Sequence, residues 1–436
     1  MSDKRERKRR KPKRVYYIRR VLLFLLAIAI LFGSYSIIRS IIGNGDPKVG
    51  QVDENPATEK PTDEEPTIKD SEKEPVVEPE PEPEPDRIEN INVVAVGDIL
   101  YHITLVNYGR DVASEGYDFN DHYSLIKDFL SEPDLTVGNF ESASNEERPI
   151  STYPMFNIPK QVFSALKTNG FDGLATANNH SLDAYFDGIG TTIDYINEQG
   201  IVNFGTQKDP KDRVKILEAK DIKVAFIGYT DLLNGLDGLL DTQEKKDSIN
   251  TYYTNDDIIR DVASAKDMGA DFIIAYPHWG NEYQTYPTDH QKTMARGMIG
   301  LGVDVVIGNH PHVVQPTEFY EAENGNKGYI AYSLGNFISN QRVETMDDYR
   351  TEHGLAVEMQ IQKNFTTGDV ELVEVKEHPL WVRRIRSDYG GFLHQTLVAE
   401  EYMEGGSKAS ELKDAEVKRA TRAYETTKKT VDLELE

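Results

Sequence analysis

Two histidines separated by a single residue form the strongest chemical signal in the sequence. His310 and His312 flank Pro311 and come shortly after an apolar run at residues 303–307. In an extended segment, alternate side chains point to the same side, so these imidazoles can bind one metal ion or two adjacent ions. Because imidazole nitrogens suit Zn, Mn, Fe and related ions, the pair predicts metal binding.

Four more polar clusters follow β-branched, apolar runs in the same manner. Their candidate residues are Asp98, Asn139 with Glu141, Asn179 with His180, and His278. Carboxylate and amide oxygens are hard donors for divalent cations. Each cluster alone has an ordinary alternative, since Gly-Asp and Asn are common in turns, Asn can cap a helix, and a single His is often structural. Five clusters at successive strand ends instead predict one shared site, which the segment 333–337 closes from the side.

Predicted strands and predicted helices alternate along the region that carries these residues. Strands are predicted at residues 91–96, 135–137, 173–176, 224–227, 272–276, 303–307 and 329–332, and helices at 159–169, 189–199, 256–268 and 288–301. This alternation predicts an α/β sandwich, with the polar residues at the strand ends where open α/β sheets build their sites. Residues 355–360 and 370–375 are predicted to form a terminal antiparallel pair.

The N-terminal region predicts a membrane anchor. The basic segment 1–20 is expected in the cytoplasm, the apolar segment 21–42 as one transmembrane helix, and the rest of the chain outside. A cleaved signal peptide is the alternative. The Pro- and Glu-rich segment 43–88 predicts a disordered, extended linker. A net charge of −25 argues against nucleic acid as a partner, and the absence of cysteine excludes disulfides and thiolate zinc sites.

The order of the motifs resembles that of one protein family. Gly-Asp, Gly-Asn-x-Glu, Asn-Asn-His, His-Trp-Gly, Gly-x-His-Pro-His and Ser-Leu-Gly-Asn-Phe occur in this order over about residues 91–385. The pattern resembles the CapA/PgsA family of bacterial poly-γ-glutamate capsule synthesis proteins, which are similar to calcineurin-like metallophosphoesterases. The resemblance implies a calcineurin-like metallophosphoesterase-type α/β sandwich over residues 89–395, followed by a charged tail, 396–436, that is helical or partly disordered.

The resemblance also implies a role for each candidate residue. Asp98 and His312 would bind one divalent ion (Mn, Zn or Fe), while Asn179, His278 and His310 would bind a second. Glu141, or less readily Asn139, would bridge the two ions, and His180 would stand beside the substrate as a proton donor.

Two positions depart from the pattern of classical metallophosphoesterases. Leu100 stands where a His is expected, and Asn139 stands where a bridging Asp is expected. Asp98 and Glu141 are then the obvious anionic ligands for two cations, which predicts weaker metal binding or one empty position.

Three functions remain open from the sequence. The first is synthesis or export of an anionic polymer such as poly-γ-glutamate, together with membrane-embedded polymer synthase subunits. The second is a surface metallophosphoesterase acting on another phosphate ester. The third is a non-catalytic scaffold that binds a polyanion, for which Arg383, Arg384 and Arg386 form a dense basic cluster.

The predicted topology can be tested with protease. Added to intact, wall-stripped cells, protease should remove the large C-terminal domain and leave a small anchor fragment, because the basic flank holds the N-terminus inside. Immunoblotting with one antibody against each end checks this. Complete protection of the domain would contradict the topology.

Overall fold

The computed structural model describes residues 87–251 and 253–435. The predicted cytoplasmic segment 1–20, the anchor 21–42 and nearly all of the linker 43–88 lie outside these residues. Among the described residues, no helix is long and apolar enough to cross a membrane. The structure therefore bears on the predicted domain and on the tail that follows it.

The strands are distributed along the whole described region. In chain order they are β1 (Ile88–Ile99), β2 (Leu135–Phe140), β3 (Gly173–Ala175), β4 (Val202–Phe204), β5 (Lys215–Ala219), β6 (Ile222–Thr230), β7 (Phe272–His278), β8 (Val305–Ile307), β9 (Thr317–Glu321), β10 (Lys327–Ala331), β11 (Asn336–Ile338), β12 (His353–Asn364), β13 (Val370–Arg386) and β14 (Phe392–Val398).

Helices connect most of the parallel strands. In chain order they are α1 (Ile103–Val112), α2 (Lys127–Ser131), α3 (Gln161–Thr168), α4 (Tyr185–Glu198), α5 (Gln243–Lys246), α6 (Asn255–Asp267), α7 (Asp289–Gly300), α8 (Val343–Met346), α9 (Ala399–Tyr402) and α10 (Asp414–Val431). Capping boxes at Thr254 and Thr288 begin α6 and α7, because each hydroxyl accepts a free backbone N–H of the first turn.

The strands form two mixed sheets. The first has the order β14-β13-β12-β1-β2-β3-β4, with β11 also pairing with β1, and the second has the order β5-β6-β7-β8-β10-β9. Strands β1 to β4 are parallel, while β12 runs antiparallel to β1 with Ile88 opposite Asn364. In the second sheet β6, β7, β8 and β10 are parallel. Both sheets therefore present the carboxyl ends of parallel strands.

Alternation along the strands builds the layers of the sandwich. In β1, Val93 packs into the core between the two sheets, whereas Val94 packs against α1, α3 and α4 on the outer face. In β7, Ile274 faces the core between the sheets and Ile273 faces α6 and α7. Since successive strand residues point to opposite faces, strands buried on both faces are apolar throughout.

The predicted mixed α/β architecture is confirmed. Each strand and helix predicted above is present, with ends displaced by a few residues, and the predicted antiparallel pair corresponds to β12 and β13. The strands β4, β5, β9, β11 and β14 were not predicted, because they are short or carry mixed polar residues. Strand β14 continues past residue 395, and helix α10 packs Ala420 and Ala423 beside Trp381 on the sheet. The predicted domain boundaries stay predictions.

A buried ion network ties α10 to the loop before β12. Glu352 accepts hydrogen bonds from Arg342 at 3.1 Å and from Arg419 of α10. The adjacent Thr351 carbonyl accepts a bond of 2.9 Å from the side-chain amide of Asn336. Because a buried charge left unpaired is costly, this network fixes the position of the loop that carries Thr351.

Gly97 allows β1 to pass against the loop at Gly335. A Cβ atom at Gly97 would lie 2.0 Å from the Gly335 carbonyl oxygen, so no side chain fits there. The backbone N–H of Asp98 donates to the same carbonyl at 3.0 Å, and Gly335 itself has a φ of +64°. The close contact therefore sets the position of the Asp98 carboxylate.

Replacing Gly97 tests this packing. The change Gly97→Ala should lower the free energy of unfolding by about 1–3 kcal/mol, because the added methyl group must displace backbone atoms. Gly297 in α7 has open space at its Cβ position, so Gly297→Ala should instead raise the free energy of unfolding by up to about 1 kcal/mol. Urea unfolding of the purified chain measures both changes, and equal effects of the two substitutions would contradict the packing argument.

Candidate metal centre

The two sheets bring all eight candidate residues together at the carboxyl ends of their parallel strands. Asp98, Asn139 and Glu141 lie at the ends of β1 and β2, and Asn179 and His180 follow β3. The second sheet contributes His278 at the end of β7 and His310 and His312 after β8. Each of the eight is no more than 6% exposed, so the cluster is buried between the sheets.

Two groups of potential ligands share one carboxylate. Glu141, His278 and His310 form one group, and Asp98, Glu141 and His312 form the other. Within each group the ligand atoms all lie within 4.8 Å of one another. Glu141 thus occupies the position that a bridging ligand requires.

The Glu141 carboxylate is buried without a hydrogen bond to either oxygen. Its Oε1 lies 3.7 Å from Nε2 of His278, 3.7 Å from Nε2 of His312 and 3.9 Å from Nε2 of His180, all longer than a hydrogen bond. Burial raises the pKa of Glu141 well above its usual range; His312 opposes this rise and Asp98 adds to it. A buried, unpaired carboxylate facing three imidazoles fits a divalent cation.

The first group has neutral nitrogen donors. Burial lowers the pKa of His278 well below its usual value, and burial with the nearby His312 lowers the pKa of His310 to about 3. Nε2 of His278 lies 3.0 Å from Oδ1 of Asn179 and 3.1 Å from Nδ1 of His310. These three atoms converge beside Glu141, as ligands of one ion do.

The second group is held by a network that includes Asn336. Nδ1 of His312 lies 3.1 Å from Oδ2 of Asp98 and 3.2 Å from Oδ1 of Asn336. Burial alone would lower the pKa of His312, but Glu141 and Asp98 raise it to about 9. Metal binding at this position must therefore displace a proton.

Asn139 contacts one residue of each group. Its Nδ2 donates to Oδ1 of Asp98 at 2.8 Å and lies 3.2 Å from Nδ1 of His278. An amide in this place orients two candidate ligands, while Glu141, two residues further along the chain, reaches the shared position. Leu100 lines the neighbouring pocket.

The segment carrying the histidine pair is not extended, so that part of the sequence argument is wrong. His310 has a φ of +97° and His312 a φ of +57°, both in the left-handed region. Non-glycine residues adopt this conformation at a cost, which is met most often at functional sites. The turn places the two rings 6.0 Å apart and sends them to different ligand groups.

A cavity of about 380 Å³ opens next to the two groups. It is lined in part by His102, His180, Glu282 and His312. Sequence reasoning did not single out His102, Glu282, Asn336 or Asp183 as site residues. Each lies inside or beside a recognised cluster, and Asp183 follows His180 by three residues. Its Oδ2 lies 2.6 Å from Nδ1 of His180, so it orients that ring with Nε2 toward Glu141.

Comparison with known proteins identifies the family of this chain. The family described as bacterial capsule synthesis protein PGA_cap matches residues 92–341. The chain belongs to this family. Its relatives include the capsule biosynthesis protein CapA of Bacillus anthracis, 29% identical over 268 residues, which cover 58% of this chain and 61% of that protein. The chain therefore spans less than two thirds of that relative's length.

Other similar proteins are more distant in sequence or structure. The PGA biosynthesis protein CapA of Bacillus subtilis (strain 168) is 26% identical over 301 residues, covering 68% of this chain and 74% of that protein. Among solved structures, the calcineurin-like phosphoesterase YfkN of Bacillus subtilis is 15% identical with a TM-score of 0.44, covering 67% of this chain and 91% of that chain. The family match ends at residue 341, so β12, β13, β14 and α10 lie beyond it.

The histidine pair should be required for metal binding and not for folding. The double change His310→Ala and His312→Ala removes one ligand from each group, so bound Mn, Zn or Fe should fall to background while the circular dichroism spectrum is kept. Elemental analysis after reconstitution under non-chelating conditions measures the metal. His290 and His378 lie outside both groups, and His290→Ala with His378→Ala is the matched control. A wild-type chain that binds no metal under these conditions would contradict the metal site.

Proposed function

We propose that this chain acts in the biosynthesis or export of poly-γ-glutamate as a metal-dependent hydrolase outside the cytoplasm. The observation that carries the proposal is the unpaired, fully buried Glu141 carboxylate shared by two ligand groups. Membership of the PGA_cap family and the names of the Bacillus relatives support poly-γ-glutamate as the polymer. The calcineurin-like metallophosphoesterase type of site, inferred from the motif order, supports hydrolysis.

The residues of the site have different proposed roles. Asp98, Glu141, Asn179, His278, His310 and His312 would hold one or two divalent cations, which supply Lewis-acid activation of water and of the scissile phosphoryl or acyl group. Asn139 keeps Asp98 and His278 in position through the contacts of its amide. The burial of the cluster excludes bulk water and strengthens each electrostatic contact there.

His180 is placed to move a proton at the edge of the cavity. Asp183 is hydrogen-bonded to its Nδ1, which leaves Nε2 directed at the ligand groups. Phe156 packs against the ring edge to face, with centroids 4.8 Å apart, and so restricts its rotation. A ring held in this way can donate a proton from Nε2 to the leaving group.

The location of the reaction is part of the proposal. The apolar segment 21–42 would anchor the chain in the membrane, and the acidic linker 43–88 would hold the domain away from its surface. An anchor of this kind would bring the site close to membrane-embedded polymer synthase subunits. The growing polymer would then leave the synthase within reach of the cavity.

Changing His180 separates catalysis from metal binding. His180→Ala should keep the metal content and lower turnover by roughly 10²–10⁴, because a general acid is lost while the ligand groups stay intact. Asp183→Asn should lower turnover less, since the ring remains but its orientation is weakened. Both are measured by hydrolysis of poly-γ-glutamate and of a phosphodiester panel, with metal analysis of the same samples.

Cells provide the second half of this test. In a strain that lacks its own copy, the wild-type chain should restore the surface polymer, and the chain with His310→Ala and His312→Ala should not. Restoration by that variant would refute a metal-dependent role. Turnover of phosphodiesters with no effect on the polymer would favour a surface phosphoesterase instead.

A further inference from the structure

Strand alternation separates the three arginines of the basic cluster. Arg383, Arg384 and Arg386 lie on β13, which pairs with β14 at the edge of the first sheet. Arg383 points to the side of α10, where Glu416 binds its guanidinium at 2.9 Å. Arg384 and Arg386 point to the opposite face, because successive strand residues alternate. The cluster therefore contributes two arginines, not three, to one surface.

These two arginines share an aromatic ring, and they differ in pairing, since Arg384 has one long ion pair and a side chain that is 15% exposed. The guanidinium carbons of Arg384 and Arg386 lie 4.4 and 5.2 Å from the centre of the Phe392 ring. Glu344 is 3.8 Å from Arg384, but it already accepts a bond of 2.6 Å from Arg342. Within residues 87–251 and 253–435, Arg386 has no carboxylate partner.

An arginine without a carboxylate partner is unusual in so acidic a protein. The net charge is −25, and most described arginines are bound to a carboxylate, including Arg110, Arg213 and Arg296. A protein of this charge repels a polyanion at long range. Any contact with a polyanion must therefore be made where cations are left free of internal partners.

The same face adjoins the metal centre through one residue. Asn340 lines the cavity, and its backbone N–H donates to Nδ1 of His102 at 3.3 Å. The Asn340 Oδ1 is 3.5 Å from the Arg384 guanidinium and 2.9 Å from Nε2 of His394 on β14. Asn340 thus forms the wall between the arginine surface and the cavity.

We propose that Arg384, Arg386 and Phe392 bind the carboxylates of a polyanionic chain and guide it toward the cavity. The inference rests on the proposed function, and it names the substrate-binding surface of that site. Guanidinium groups bind carboxylates through two parallel hydrogen bonds, which gives this surface its chemical preference. The two Cα atoms are about 7 Å apart along the strand, so the surface holds successive groups of an extended chain. The Phe392 ring keeps both guanidinium groups in place.

Binding of labelled poly-γ-glutamate to the purified full-length chain tests the proposal. The double change Arg384→Gln and Arg386→Gln should raise Kd by about tenfold or more and reduce its dependence on salt, because two charged contacts are lost. Arg110→Gln with Arg260→Gln removes the same charge from arginines that have acidic partners, and it should leave Kd nearly unchanged. Fluorescence anisotropy measures Kd, and thermal unfolding with metal analysis shows that the fold and the metal centre persist.

Four results would contradict the proposal that this surface binds the polymer. They are an unchanged Kd in the Arg384 and Arg386 variant, an equal loss in the control, no binding by the wild-type chain, or tighter binding of polyphosphate than of poly-γ-glutamate. The variant with His310→Ala and His312→Ala should still bind the polymer, since its arginines are intact. Suppose that hydrolysis and restoration of the surface polymer depend on the histidine pair, while Kd for the polymer is the same with and without the two arginines. Only the proposal for the arginine surface is then refuted. If binding depends on the arginines while neither hydrolysis nor restoration occurs, only the proposed function fails.

Discussion

The site depends on a carboxylate that the protein buries and leaves without a donor. Glu141 stands where the carboxyl ends of strands from two sheets meet, and nothing in the surrounding side chains forms a hydrogen bond to it. A charge in that place is costly unless a cation is present. The glycine contacts that hold β1, the left-handed turn after β8 and the amide of Asn139 all keep donor atoms close to that carboxylate.

One departure from the classical metallophosphoesterase pattern, at Asn139, is compensated at the end of the same strand. Asn139 stands where an acidic bridge is expected, but Glu141 is two residues further on and reaches the shared position from the same side. Its side chain is one methylene longer than that of Asp, which covers part of the displacement. Asn139 then has a different task, because its amide can donate to Asp98 while a second carboxylate could not. Glu141 thus supplies the carboxylate that Asn139 lacks, and the two groups keep two carboxylates, Asp98 and Glu141. Leu100, which stands where a His is expected, leaves them with one imidazole fewer.

Much of the fold and most of the candidate site could be predicted from local patterns. Runs such as residues 272–276 are apolar because they are buried on both faces, and polar residues directly after them mark the strand ends. The local pattern could not show the left-handed φ of His310 and His312, since that turn is stabilised by tertiary contacts. Asp183 and Asn336 were missed for a related reason: their roles come from contacts with His180 and His312, which spacing alone does not reveal. The division of the arginines required knowing that residues 383–386 form a strand.

The pairing of β1 with β12 has a consequence for how the protein matures. Residues 88–99 are among the first of the domain to leave the ribosome, yet their antiparallel neighbour, residues 353–364, is made much later. Until then one side of β1 has no partner, and pairing across such a long separation is slow. Asn336 and Thr351, which connect His312 to the ion network of α10, also come late. A nascent chain therefore holds all the candidate ligands, from Asp98 to His312, before the contacts of Asn336 that position His312 can form.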